Sequence, residues 1–173
     1  MIVSRHLDGI VVYREPRYED DRGWFCETYK KSKLLPTFVQ DNHSRSRQNV
    51  IRGLHFQVMK PMGKLMRVTR GEAMLVAVDV RLTSPTLGKW FGIRCTEDNG
   101  LQVYAPAGFA RGFCALSEIT EVQYKCTALY NPAGDRAILY SDPDIGIDWP
   151  VDDPIVSDKD RKAPTLAEYI RKG

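Results

Sequence analysis

The chain is poor in several things that would have fixed its class at once. Its 173 residues include only four cysteines and three histidines. Cys26, Cys95, Cys114 and Cys126 are widely scattered and form no C-x-x-C pair, so their spacing offers no structural zinc site. No apolar run approaches the length of a membrane span, and "MIVSRHLDGIVVY" has neither an uninterrupted apolar core nor a small-residue cleavage site. The expectation is a chain without a signal peptide, cytoplasmic, with reduced thiols. Charge of one sign is also lacking: 25 Lys and Arg against 22 Asp and Glu leave +3, with a pI near 8.7. That mild excess suits an anionic substrate and falls short of the basic stripe that nucleic-acid binding requires. There is no P-loop and no G-x-G-x-x-G, so any phosphate would have to be held by side chains. Repeats, low-complexity segments and linkers are missing too. With 43% hydrophobic and 27% charged residues, the chain is expected to form one soluble globular domain over residues 1–173.

What is present is a succession of short strands and turns. "KLMRVTRGEAMLVAVDVR", Lys64 to Arg81, predicts a hairpin turning at Gly71. "WFGIRCTEDNGLQVYAP" predicts a second at Asn99-Gly100, and "FCALSEITEVQYKCT" a third around Ser117 to Thr120. "WFCETY", "FVQDNHS" and "VIRGLHF" are further strand candidates. Helical character is confined to "TLAEYIRK" and "KKSKLL". Many closely spaced strands point to an all-β barrel or sandwich.

Alternate residues of a strand share a face. In "EVQYKC" this sets Tyr124 with Val122 and Cys126, facing inward, while Glu121, Gln123 and Lys125 face out. Lys64 shares its face with Met66 and Val68, an unusual place for a lysine without a partner. His55 falls with Ile51, Gly53 and Gln57. Three proton-capable side chains, His55, Lys64 and Tyr124, are thus candidates to meet inside a barrel.

Several chemistries are open to that set. A barrel of this kind is similar to the cupin group, whose metal-binding members use clustered histidines. Here His43 lies twelve residues before His55 with no H-x-H, and "PAGFARGF" offers Arg111, which cannot ligate a cation. General acid–base chemistry fits better: a histidine suits proton transfer near neutrality, and Asp158 or Asp160 of "SDKDRKAP" could orient it. From spacing alone His55 is equally readable as a hydrogen-bonded packing residue. Arg22, Arg52, Arg111, Lys64 and Lys159 are either phosphate contacts or solvated charges. Tyr18, Trp24, Phe25 and Tyr130 either stack on a base or pack in the core.

Nearly the whole chain resembles the dTDP-4-dehydrorhamnose 3,5-epimerase family. The resemblance runs in order through "YEDDRGWFCETY", "FVQDNHSRSRQNVIRGLHFQ", "GKLMRVTRGEAMLVAVDVR", "SPTLGKW", "YAPAGFARGF", "YKCTALY", "DPDIGIDWP" and "SDKDRKAPTL". It implies a cupin-type jelly-roll β-barrel with a short C-terminal helix, without metal or cofactor, working as a homodimer on a nucleoside-diphosphate 4-keto-6-deoxyhexose. By position it implies that His55 is the general base, Asp160 its orienting carboxylate, Tyr124 the opposing proton donor and Lys64 the enolate-stabilising cation. Arg22, Phe25, Glu27, Gln40, Asn42, Arg52 and Lys159 occupy nucleotide-, phosphate- or sugar-contacting positions. Tyr130 matches a base-stacking aromatic, and Tyr18 one contributed by the partner subunit.

The chain also departs from that pattern. Arg111 stands where a substrate-contacting histidine is common, Met62 where a glutamine is, Leu75 where an aspartate is, and Asp135 where a glutamate near the nucleotide is. "YSDP" replaces a Trp-containing version. These differences leave an altered sugar or nucleotide open, with Arg111 and Asp135 counted among the substrate contacts. The readings to separate are therefore epimerisation at C3 and C5, epimerisation at one carbon of another nucleotide sugar, a ketoisomerase, a metal-dependent cupin oxygenase, and a non-catalytic sugar-nucleotide-binding barrel.

Overall fold

Strand β8, Glu72–Asp79, reads "EAMLVAVD", apolar at nearly every position, because both of its faces are covered. Ala73, Leu75 and Ala77 join Ile10, Val12, Met66, Val68, Phe109, Phe113 and Val122 in the main core. Val76 and Val78 face the other way, onto Leu54, Phe56, Ile138, Ile145 and Leu166. A strand buried on one side alternates; one buried on both sides does not. The architecture follows from that layering.

The computed structural model describes residues 1–32 and 36–172. In chain order the strands are β1 Ile2–His6, β2 Ile10–Arg14, β3 Tyr18–Asp20, β4 Gly23–Phe25, β5 Gln40–Arg47, β6 Val50–Gln57, β7 Lys64–Arg70, then β8. They continue as β9 Trp90–Thr96, β10 Leu101–Ala105, β11 Phe109–Ala115, β12 Ile119–Cys126, β13 Asp135–Ala137 and β14 Ile155–Val156. Two short helices close the chain, α1 Asp158–Arg161 and α2 Leu166–Lys172. One sheet runs β1-β2-β10-β7-β12-β5, the other β13-β6-β11-β8-β9 with β14 parallel to β6. The strands β3 and β4 form a separate ribbon. This is a cupin-type jelly roll, with the main core between the two sheets.

The three hairpins read from turn signals are corrected by this topology. Gly71, Asn99-Gly100 and Ser117 to Thr120 do mark turns, and Gly71 and Gly100 have φ of +71° and +62°. Yet β7 and β8, β9 and β10, and β11 and β12 each lie in opposite sheets. A turn residue fixes where the chain reverses. Which strand becomes the neighbour is decided by how the two inner faces close over the core. The corners brace one another: Glu72 N donates to Ser117 Oγ at 2.9 Å and Thr120 Oγ1 donates to the Glu72 carbonyl at 2.9 Å. A Cβ at Gly71 would overlap Ser117 and the Ile119 carbonyl.

Helix α2 forms where "TLAEYIRK" predicts one. Thr165 N donates to Glu168 Oε2 at 2.9 Å and Glu168 N to Thr165 Oγ1 at 3.2 Å, a reciprocal cap that contributes about 1 kcal/mol. Leu166 and Tyr169, three residues apart, pack on the outer face of the second sheet, Tyr169 edge-on to Phe56. In the other proposed helix, Lys30 to Ser32 are coil and turn, and Lys33 to Leu35 lie outside the described residues. Among the described residues no helix is long and apolar enough to cross a membrane.

Candidate active site

The site begins with an irregularity in β6. Its register against β11 pairs Ile51 with Cys114, Arg52 with Phe113 and His55 with Arg111, so two residues of β6 oppose one of β11 between the last two pairs. Such a bulge shifts the alternation by one. Ile51 consequently packs outside with Cys114 and Val156, and Arg52 joins His55 along the cavity wall. The face shared by His55 and Ile51 in the simple two-residue count is thereby corrected. Glycine is required here: Gly53 has φ +129°, and a Cβ on it would sit 2.7 Å from the Gly112 Cα.

Asp160 reaches His55 through the pairing of β14 with the start of β6. Ser157 follows β14 and caps α1, accepting the Asp160 N–H at 3.2 Å, which turns the Asp160 side chain inward. Asp160 Oδ1 lies 2.6 Å from His55 Nε2, and Oδ2 accepts the Gly53 N–H at 3.2 Å. A carboxylate only accepts, so Nε2 is the nitrogen that donates, and in the neutral ring the lone pair lies on Nδ1. Burial raises the Asp160 carboxyl, but the bonds from His55, Gly53 and Ser157 outweigh it and hold the group below its ordinary range. Asp160 is therefore a fixed anion behind the imidazole.

The first sheet supplies the facing wall. Tyr124 of β12 is paired with Asn42 and Met66, and Lys64 with Cys126. The Lys64 Nζ lies 4.8 Å from the centroid of the Tyr124 ring. Burial first, and repulsion from Arg111 second, bring the Lys64 ammonium down to about 8. Burial raises Tyr124, keeping its phenol protonated and able to donate. Two adjoining cavities of about 520 and 630 Å³ share His55, Lys64, Arg111, Tyr124 and Lys159 as lining.

All four residues expected to carry catalysis thus meet. Of the expected substrate contacts, Arg52 lines the first cavity, Gln40, Asn42, Tyr130 and Asp135 the second, and Arg111 and Lys159 both. Lys159 Nζ is 2.5 Å from Asp135 Oδ2, tying α1 to β13 across the opening. Tyr18, Arg22, Phe25 and Glu27 are not brought to these cavities. Tyr18 and Phe25 are cross-strand partners on the β3–β4 ribbon, 62% and 65% exposed. Arg22 pairs with Asp20 at 2.5 Å, and Glu27 with Lys30 at 3.4 Å. Among the departures, Met62 lines the cavity, whereas Leu75 lies in the main core.

Sequence reasoning passed over Ser44, Met66 and Ser157 as lining and Gln57 as a scaffold. Gln57 donates to the Lys60 and Leu129 carbonyls and accepts the Asn131 N–H at 2.8 Å, anchoring the loops that carry Met62 and Tyr130. Its place two residues after His55 was the available signal.

A carboxylate-backed imidazole, a phenol and a cation lining one cavity are groups that can move protons on and off carbon next to a carbonyl. Residues 4–168 match the family described as dTDP-4-dehydrorhamnose 3,5-epimerase. The chain belongs to that family. As a member it is an isomerase of sugar nucleotides. It is 49% identical over 174 residues to the dTDP-4-dehydrorhamnose 3,5-epimerase of Methanothermobacter thermautotrophicus, covering 96% of this chain and 94% of that one. The crystal structure of the dTDP-6-deoxy-D-glucose-3,5-epimerase of Legionella pneumophila, in complex with dTDP-4-keto-L-rhamnose, superposes with a TM-score of 0.93 at 40% identity. That likeness covers 96% of this chain and 93% of the other. A dTDP-4-dehydro-6-deoxyglucose 3-epimerase from Streptomyces is 34% identical, covering 90% of this chain and 84% of that relative.

Proposed function

We propose that this chain epimerises a dTDP-4-keto-6-deoxy sugar at C3 and C5, with His55 as base and Tyr124 as acid. The observation that carries the reading is the His55–Asp160 pair at 2.6 Å facing Lys64 and Tyr124 across one cavity. The C4 ketone acidifies the hydrogens on C3 and C5. His55 Nδ1 removes one, the bonding pair forms C=C, and the carbonyl pair moves onto oxygen, where Lys64 stabilises it. A preorganised donor at such an oxyanion contributes on the order of 3 kcal/mol. Tyr124 returns a proton from the opposite face, inverting the carbon, and solvent resets both groups. Arg52, Arg111 and Lys159 surround His55 with positive charge, which suits an anionic substrate and opposes a bound metal cation. Tyr130 and Asp135 serve the nucleotide, and Gln40 and Asn42 the second cavity's ligand contacts.

The working unit in this reading is a homodimer in the cytoplasm. Tyr18, Arg22 and Phe25 sit together on a ribbon away from their own cavity, and they reach the cavity of a second copy. Glu27 follows on the same segment.

Proton exchange in heavy water with dTDP-4-keto-6-deoxyglucose tests the chemistry. Deuterium entering at both C3 and C5 is the expected result. Label at C3 alone would favour the single-carbon reading, which the 34% identity to a 3-epimerase keeps in view. Binding without any exchange would overturn the enzyme reading in favour of a binding barrel.

A further inference from the structure

The epimerase reading gives His55, Asp160, Tyr124 and Lys64 each a task and leaves Arg111 as one cation among several. Its surroundings are distinctive. Arg111 is 4% exposed, and its Nη1 donates to the Ala105 and Pro106 carbonyls at 3.2 and 3.1 Å. Its Nε is buried and has no partner among the described residues. Two neutral carbonyls do not offset the cost of taking a guanidinium out of water.

Among the described residues that line the two cavities no carboxylate is free to help, Asp41 being held by Lys125. Asp160 is held by His55 and Gly53, and Asp135 by Lys159. Lys64, which lines both cavities with Arg111, repels it, and the further cations of the lining, Arg52 and Lys159, are exposed. The inner end of the cavity therefore holds one buried and one half-buried positive charge, and among the described residues its lining offers no free negative charge to match them. The missing charge belongs to the ligand.

Depth selects the part of the ligand. Arg52 and Lys159 are exposed and stand where a hydrated diphosphate can meet them. Arg111 lies directly across the strand pair from His55, the base. Negative charge beside the base appears only during reaction, on the oxygen next to the carbon being deprotonated.

We propose that Arg111 is a second oxyanion donor, which together with Lys64 holds the C4 oxygen of the sugar as the ketone becomes an enolate. This rests on the epimerase reading. No covalent bond to Arg111 forms or breaks. The proton moves to His55, the C–H pair becomes C=C, the carbonyl pair resides on oxygen between the two cations, and protonation from Tyr124 returns it to the ketone. A histidine at this position would be neutral over much of the working range, whereas the guanidinium, though lowered by burial to about 10, stays charged.

The test measures three things for Arg111→Met and Arg111→Lys: deuterium exchange, the pH profile of that exchange, and affinity for dTDP alone. The titratable groups lining the cavities with Lys64 are Arg111 on β11, Arg52 and His55 on β6, Tyr124 on β12, Asp41 and His43 on β5, Asp135 on β13, Lys159 and Asp160 on α1, and Tyr130, with Cys126 of β12 paired beside Lys64. Arg111 is the buried cation among them and lowers Lys64, so removing it is expected to move the alkaline limb that the Lys64 ammonium, near 8, gives in this reading to higher pH. Arg111→Met is expected to slow exchange about 10²–10³-fold and to leave the dTDP dissociation constant within about twofold. Arg111→Lys restores part of the rate and returns the alkaline limb toward its native position. Should Arg111→Met fail to fold by circular dichroism, Arg111→Gln, which can still reach the Ala105 and Pro106 carbonyls, carries the same readouts. A neutral variant that exchanges within about threefold of the native rate overturns the proposal. So does one that loses dTDP affinity in proportion to rate, since Arg111 would then be a phosphate ligand. Native protein that exchanges no proton sinks the epimerase reading itself; native exchange with an unaffected neutral variant sinks this proposal alone.

Discussion

The inner wall of the barrel and the β3–β4 ribbon carry the same kinds of side chain and treat them in opposite ways. Arg111 is 4% exposed and donates to two backbone carbonyls, whereas the Arg22 side chain is 89% exposed and forks onto Asp20. Tyr124 is partly buried against the core and pushed up by desolvation, whereas Tyr18 is 62% exposed beside Phe25. Burial turns a common residue into a reagent, because only in a water-poor site does a fixed charge or phenol act at full strength. The ribbon's residues have no such setting in their own chain. They offer contact, which a second copy would have to complete.

The largest effects should therefore come from the inner wall. His55→Ala is expected to abolish exchange at both carbons, a loss of about 10³–10⁴-fold, while Asp160→Asn, which leaves the imidazole in place but removes its fixed anion, costs on the order of 10²-fold. Both losses should appear in kcat, with KM nearly unchanged, in heavy-water exchange kinetics. An Asp160→Asn protein as fast as the native one would show that His55 needs no orienting partner. Exchange surviving in His55→Ala would move the base elsewhere on the wall.

The inner wall was also the more legible region, up to a definite point. The two-residue period placed Lys64, Tyr124, Val122 and Met66 correctly, because β7 and β12 are regular there. It misplaced Ile51, because one extra residue in β6 reverses the alternation, and a glycine in a strand signals a bulge without saying which residues it will flip. Asp160 lies 105 residues from His55, and no periodicity links them; the resemblance supplied that pair, and the β14–β6 pairing explains it. The three corners misread as hairpins failed for the same reason. Turn chemistry is local, and sheet membership is decided by long-range closure over the core. On the ribbon, the sequence offers only "WFCETY" as a strand candidate beside Tyr18 and Arg22, and nothing in one chain says whose cavity these residues serve.

A mixing experiment sharpens the comparison. If the ribbon completes a partner's cavity, an Arg22→Ala, Phe25→Ala double variant and His55→Ala fail for defects that fall in different chains of one site. In a randomly reassorted symmetric dimer, half the molecules are mixed, and each mixed dimer has one site with an intact wall and an intact ribbon. Activity should then return to about one quarter of the native value. The double variant alone should show a raised KM rather than the loss of kcat seen for the wall. Mixtures no more active than their components would mean that each ribbon folds over its own cavity or serves none.

The smallest effect should come from the ribbon's own ion pair. Arg22 donates to the Asp20 carboxylate through its Nε and Nη2, and each group shifts the other's ionisation in the favourable direction. Both are exposed, and a pair in that setting is offset by hydration, by side-chain entropy and by salt. Asp20→Asn should leave the melting temperature unmoved. It should also free the guanidinium for a diphosphate, so dTDP affinity rises modestly at low ionic strength and the gain fades as salt is added. Arg111 gives the contrast, since neutralising it is expected to cost rate at every salt concentration. A clear fall in melting temperature for Asp20→Asn would mean that the pair holds the ribbon's shape. The ribbon would then resemble the wall more closely than its exposure implies.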